Sequence, residues 1–375
     1  MSDARVFYQH HEPFCMRRGG QLEQVELAFE TWGELDAEHS NAVLIFTGLS
    51  PSAHASSSAA DPSAGWWEDM VGPGRPVNTD HNFVVCFNSL GSCFGSTGPA
   101  SINAASGQPY GLDFPVLSLE DIAHCGALIL DHLQITQLRC AIGPSMGGMT
   151  ALAFCLLYPQ RARHLISISA ASRALPFAIA LRSLQREIIC SDPDWHHGKY
   201  PQEEHPVTGM KLARKLGMIS YRSALEWEHR FGRERVEQAG HTDYMFTAEF
   251  EIESYLSAHA AKFSGSFDPN CYLYLSRAMD LYDAADHGGS LRASFAHLQL
   301  QSALVIGVTT DILFPPHQQR ELAGLLTDEG IDVSLQLLNS IQGHDSFLVD
   351  MDRFRPVMAD YLCKLDSGSP CDQSY

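Results

Sequence analysis

Positive charge is scarce in this chain: 25 lysines and arginines face 44 aspartates and glutamates, for a formal charge of −19. That balance argues against nucleic acid or an anionic membrane surface as the main partner, and leaves room only for a small, local basic pocket serving an anionic substrate. Metal-type cysteine spacing is missing as well. The ten cysteines run from Cys15 to Cys371 without one C-x-x-C pair, which fits reduced thiols in a cytosol better than a disulfide framework or a zinc site. Neither a metal nor a cofactor is implied. Long apolar runs are also absent. The opening MSDARVFYQHHEPF has no apolar signal segment, and the run around Leu152–Leu157 ends at Pro159, well short of a membrane span. The expectation is a cytoplasmic protein working on small molecules. What is present is ordinary: 375 residues, 45% hydrophobic and 18% charged, enough for a large core.

Apolar, β-rich runs occur at Ala42–Thr47, Phe83–Asn88, Leu138–Ile142, His164–Ser169, Ala303–Thr309 and Val333–Leu338. They read as buried parallel strands. Helical patterning at Leu119–Leu133, Thr150–Leu157 and His317–Thr327 alternates with them, the order of an α/β sheet covered on both faces. Between Ser169 and Ala303 no strand is convincing. There ALPFAIALRSLQREII, GMKLARKLGMISYRSALEW and AEFEIESYLSAHAAKF repeat apolar residues at helical spacing, interrupted by a loop over Ser191–Val207. The expected organisation is a core in two parts, 1–172 and 299–375, with a helical lid inserted over 173–298. Ser52–Trp67, rich in serine and alanine, reads as a loop at the mouth of the site. The turn DPDWHHGK clusters Asp192, Asp194, His196 and His197, but turn formation accounts for it and no metal is assigned.

Gly143-Pro144-Ser145-Met146-Gly147 lies between a strand and a helix, the context of a nucleophile elbow. Its glycines allow a sharp turn that exposes the serine hydroxyl at a helix N-terminus. A serine nucleophile needs a base, and the base needs a carboxylate to orient it. Asp311, after ALVIGVTT, and His344, after VSLQLLNSIQG, follow Ser145 in the order this fold uses. Asp311 could equally cap the helix that starts at Pro315-Pro316. Two N–H donors must meet the oxyanion: Met146, next to the nucleophile, and Leu49, in the Thr47-Gly48-Leu49 turn after an early strand.

The segments FTGL (46–49), NSLGS (88–92), GSTGP (95–99), GQPYG (107–111), SMGGM (145–149) and GHD (343–345) resemble the homoserine O-acyltransferase family of α/β-hydrolase-fold enzymes over nearly the whole chain. GLSPSAHA, GPASIN, ALRSLQRE and FDPNCYLYLSRAMDLYD are most similar to its serine O-succinyltransferase branch. The resemblance implies an acyltransferase working by a ping-pong Ser-His-Asp mechanism, with succinyl-CoA and L-serine as substrates in cysteine biosynthesis. The alternatives are a homoserine O-acetyl- or O-succinyltransferase of methionine biosynthesis, an esterase, or an inactive binding module.

It further implies Ser145, Asp311 and His344 as the triad, and Arg214 and Asp345 as ligands of the acceptor's carboxylate and ammonium. A guanidinium and a carboxylate suit those two groups. Arg222 is a second candidate for the acceptor carboxylate, an interhelical ion pair being its plainer use. Succinyl-CoA ends in a carboxylate that acetyl-CoA lacks, so selecting it calls for a cation. Arg182 and Arg186 are one helical turn apart and share a face with Gln185. The homoserine succinyltransferase branch carries an arginine two residues after the catalytic aspartate, where this chain has Leu313, and that departure makes Arg182 the candidate for donor choice. A purely structural arginine is the alternative. The family pattern points to Ser52, Ala53, His54 and Ala55 as the region shaping acceptor choice, and to a homodimer built through the lid.

Overall fold

The computed structural model describes residues 4–201, 205–237 and 247–367. One eight-stranded sheet organises them. Its strands in chain order are β1 (Val6–His10), β2 (Val25–Trp32), β3 (Ala42–Phe46), β4 (Phe83–Phe87), β5 (Leu138–Pro144), β6 (Ala162–Ile168), β7 (Ser302–Val308) and β8 (Asp332–Leu338). Across the sheet they stand β1-β2-β4-β3-β5-β6-β7-β8. From β4 to β8 all pairings are parallel, while β2 is antiparallel to both β1 and β4.

The parallel strands are apolar because helices cover both of their faces; every residue of β3, β5 and β7 is buried. Helices α1 (Leu119–His132) and α2 (Met146–Leu157) contribute Ile122, Ile129, Leu152 and Phe154 to one side core, where Phe46 meets Phe87 and Phe154 ring to ring. Ser118 starts α1 with a reciprocal cap: its Oγ accepts from the Asp121 N–H, and Asp121 accepts from the Ser118 N–H at 2.8 Å. The opposite core holds Trp67, Met70, Phe354, Met358 and Leu362.

Strands β1 and β2 have no counterpart among the sequence-predicted strands. In β2 the apolar residues are broken by Glu26 and Glu30, and β1 is an edge strand whose Val6 and Phe7 stay exposed, so neither forms an apolar run.

Between β6 and β7 lie α3 (Pro176–Cys190), α4 (Val207–Tyr221), α5 (Ala224–Phe231), α6 (Glu251–Ser264) and α7 (Pro269–Leu281). The stretch read as one helix, GMKLARKLGMISYRSALEW, is two. Arg222 is extended, and the Ser223 side chain caps α5 by accepting from the Glu226 N–H. Residues 202–204 of the loop expected over Ser191–Val207 and residues 238–246 of the expected lid lie outside the described residues. Helices α8 (Pro316–Asp328) and α9 (Met351–Ser367) complete the layers.

Two expectations need correction. Ser52–Trp67 is the irregular loop expected, but it does not line the cavity at Ser145: Ala53, Ala55 and Trp67 are buried, and Trp66 stacks on Trp67. Eight described cysteines are free thiols, but Cys363 in α9 is disulfide-bonded, against the expectation of reduced thiols. Cys371 lies outside the described residues.

Candidate active site

The elbow joins β5 to α2. Ser145 sits at φ 55°, ψ −123°, a strained left-handed conformation for a residue with a side chain. The turn around it is tight enough to admit only glycine at two places. A Cβ on Gly143 would stand 2.1 Å from the Gly147 carbonyl carbon, and one on Gly147 would stand 2.0 Å from the Phe46 carbonyl oxygen. The main chain of β3 thus lies directly against the start of α2. Met146 is the first residue of that helix, so its N–H has no partner within the helix.

Three strand ends converge here. Asp311 follows β7 and His344 lies in the turn after β8, both buried. His344 Nε2 is 2.8 Å from Ser145 Oγ, and His344 Nδ1 is 2.7 Å from Asp311 Oδ2. The other Asp311 oxygen accepts from the Leu313 and Phe314 N–H groups at 2.8 and 2.9 Å. The carboxylate therefore orders the turn before α8 and orients the imidazole at once, but it does not cap α8, whose N-cap is Pro315 with no side-chain cap bond. Burial pulls the His344 pKa down, but the charge and hydrogen bond of Asp311, helped by Asp345, outweigh it and the net shift is upward.

A cavity of about 120 Å3 opens onto Ser145 and His344. Gly48, Leu49, Ser50 and Pro51 form one wall, and Leu181, Arg182, Gln185, Arg214, Tyr221 and Tyr272 come from the helices between β6 and β7. Leu313 lines it too, as does Asp345. Arg182 is 6% exposed and donates from Nε to Asp280 Oδ1 at 2.6 Å. Its Nη2 is buried with no hydrogen-bond partner among the described residues. Arg186 reaches the other Asp280 oxygen at 2.7 Å and does not line the cavity. The Arg214 guanidinium lies 4.3 Å from the Phe263 ring centre and 5.7 Å from that of Tyr221, and it is in no ion pair among the described residues. Ring faces hold it in place, which leaves its N–H edge for a ligand. Burial raises the Asp345 pKa, against the opposing charges of Arg222, His344 and Arg214.

Arg222 is not on this cavity wall. Its Nε is 3.3 Å from Asp345 Oδ2 and its Nη1 donates to Gln342 Oε1 at 2.6 Å, with Glu226 at 3.8 Å. Nor are Ser52, Ala53, His54 and Ala55, which continue the chain directly after the Gly48–Pro51 wall. Asn88 Oδ1 accepts from the Ala53 N–H at 2.7 Å, and His54 bridges Glu30 and the Ser63 carbonyl. Asp192 accepts from the Asp194 and Gly209 N–H groups, and among the described residues no cluster suited to a metal occurs.

Sequence reasoning missed Asp280, Tyr221 and Tyr272. Two arginines four apart on one helix face signal a carboxylate on a neighbouring helix, but only the packing of α3 against α7 selects Asp280. The tyrosines carried no signal beyond helical spacing.

The model of the α/β hydrolase fold family matches residues 41–349. The chain is 55% identical over 368 residues to a serine O-succinyltransferase of Litchfieldella anticariensis, covering 96% of this chain and 99% of that one. A serine O-succinyltransferase of Stenotrophomonas maltophilia is 54% identical, covering 95% and 96%. Among solved structures, a homoserine O-acetyltransferase from Bacillus anthracis superposes with a TM-score of 0.88 at 26% identity, covering 96% and 97%. An esterase does so with a TM-score of 0.86 at 29% identity, covering 96% and 99%. Fold, site geometry and full-length similarity agree: the chain belongs to the homoserine O-acyltransferase family of α/β hydrolases, in its serine O-succinyltransferase branch.

Proposed function

We propose that the chain moves the succinyl group of succinyl-CoA onto the hydroxyl of L-serine in two half-reactions, a step of cysteine biosynthesis. The observation that carries this is the Ser145–His344–Asp311 relay at 2.8 and 2.7 Å in a chain more than half identical, end to end, to serine O-succinyltransferases. His344 Nε2 takes the Ser145 proton as Oγ attacks the thioester carbonyl. The Met146 and Leu49 N–H groups receive the oxyanion. The C–S bond breaks, the thiolate takes the proton from His344, and CoA leaves. The L-serine hydroxyl then gives its proton to His344 and attacks the succinyl ester, and Ser145 recovers the proton as O-succinyl-L-serine departs.

Arg214 takes the acceptor's carboxylate and Asp345 its ammonium, with Arg222 acting through Asp345, which it pairs. The unpartnered Nη2 of Arg182 takes the succinyl carboxylate, the rest of that guanidinium being anchored by Asp280. Ser52, Ala53, His54 and Ala55 act on acceptor choice through the Gly48–Pro51 wall, which they continue along the chain. A missing methylene is worth about 1–3 kcal/mol in such a pocket, so small shifts of that wall matter. The reaction needs no cofactor, succinyl-CoA being a substrate, and its thiol product suits a reducing cytoplasm. Among the described residues no helix is long and apolar enough to cross a membrane. The working unit is a core of residues 1–172 and 299–375 under a lid of 173–298, paired as a homodimer through the lid.

The test is a substrate matrix of acetyl-CoA or succinyl-CoA with L-serine, L-homoserine or water, followed by CoA release. Succinyl-CoA with L-serine is expected to win clearly. Equal release without an amino acid would favour a hydrolase, as in the similar esterase, and homoserine preference would move the reaction to methionine biosynthesis. Ser145→Ala is expected to lose at least about 10⁴-fold in kcat.

A further inference from the structure

A second cavity, of about 290 Å3, shares Arg214 and Asp345 with the first and is not lined by Ser145. Its lining is unlike the rest of this acidic molecule. Arg214, Arg222, His259 and Lys262 meet a single carboxylate, Asp345, and Trp227, Tyr255 and Phe263 supply ring faces. Arg222 is already spoken for by Asp345 and Gln342. Lys262 and His259 are exposed, and among the described residues neither is in an ion pair; His259 Nδ1 is 3.0 Å from the Tyr255 carbonyl oxygen, which leaves Nε2 for outward bonds. Two buried donors have no hydrogen-bond partner among the described residues: Trp227 Nε1 and Arg214 Nε. An unpaired lysine, aromatic rings and unsatisfied buried donors in one cavity describe a site for an anionic, aromatic ligand.

We propose that this cavity takes the phosphorylated nucleotide end of the acyl-CoA donor, with the pantetheine arm passing between Arg214 and Asp345 to bring the thioester to Ser145. The inference rests on the transferase reading above. Of that reaction's participants, only coenzyme A carries phosphates and an aromatic base, and the 120 Å3 cavity at Ser145 is far too small for it. Lys262 and His259 meet the phosphates, and the adenine lies against the rings. The arm then occupies the wall that the acceptor's ammonium and carboxylate need. Donor and acceptor cannot be bound together, as a two-step order with CoA leaving first requires.

The experiment compares two donors, succinyl-CoA and the succinyl thioester of N-acetylcysteamine, which has the reactive group without the nucleotide. Lys262→Ala and His259→Ala are each expected to raise KM for succinyl-CoA about tenfold, the worth of one charge-assisted contact. Added salt should shrink the difference from the wild type. Both variants should keep the wild-type kcat/KM for the truncated donor and the wild-type KM for L-serine, which also shows that they are folded. Equal effects on both donors, or no effect on either, would overturn the proposal. Calorimetry with adenosine 3′,5′-bisphosphate separates the site from the reaction. Binding to the wild type that weakens about tenfold in Lys262→Ala supports the cavity even if succinyl transfer to serine is not observed, and no binding sinks it.

Discussion

At the residue scale the proposed chemistry depends on one proton at His344 Nε2. The base works only when neutral, and its pKa is raised because Asp311, charged and hydrogen-bonded to Nδ1, overcomes the downward pull of burial. The acid limb of kcat/KM against pH should therefore lie above the range of an ordinary histidine, with activity falling as pH drops through it. Asp311→Asn removes both upward causes. Its limb is expected to move to lower pH, and kcat to fall about 10⁴-fold, because the imidazole loses its orienting acceptor. A pH–rate profile of the two proteins checks this, and an unmoved limb would separate His344 from the base role. The folding linkage has the same origin. With the folded pKa raised, His344 stabilises the protein below its unfolded pKa, and that contribution is lost as pH rises through the folded value.

At the element scale the elbow works only while β3, β5 and α2 lie in direct backbone contact. Gly147→Ala would drive a methyl group to 2.0 Å from the Phe46 carbonyl oxygen, and the main chain of β3 cannot move aside as a flexible side chain would. Thr47–Leu49, the candidate oxyanion turn, follows that carbonyl. The variant is expected to lose about 3 kcal/mol of stability by overpacking and to lose turnover together with it. Gly324→Ala is the contrasting case: in α8, with nothing within 4 Å of the added carbon and no left-handed backbone, it should gain about 0.5–1 kcal/mol. Chemical unfolding of the two variants beside the parent measures both. Equal losses would mean that helix position, and not close approach, sets the cost.

At the scale of the whole molecule, charge and apolar surface are unevenly placed. Phe177 and Leu184 on α3, and Leu212 and Ile219 on α4, recur seven residues apart and are roughly half exposed. Helices α3 and α4 pack on each other, and together they carry this exposed apolar surface. A second copy of the chain is the occupant that the dimer reading assigns to it. Leu212→Glu combined with Ile219→Glu should convert a dimer to a monomer in sedimentation equilibrium while leaving the triad geometry intact. A parent that sediments as a monomer would remove the dimer from the proposal.

What the amino-acid order determined by itself was the alternation of strands and helices, the elbow and the sequence of Ser145, Asp311 and His344, because each rests on local periodicity, on glycine, or on residue type at a fixed place along the chain. The antiparallel strands β1 and β2 were not legible, since alternation with charged residues hides a strand whose partner is remote. Nor was the break at Arg222, because a helix end can be set by a cap and a turn without a change in apolar spacing. Tertiary structure alone decided which side chains share a surface. It paired Asp280 with Arg182, turned Arg222 onto Asp345, kept Ser52–Ala55 off the cavity wall, and gave two cavities Arg214 and Asp345 in common. Such contacts join residues up to a hundred or more positions apart, and packing, not sequence spacing, brings them within a few ångströms.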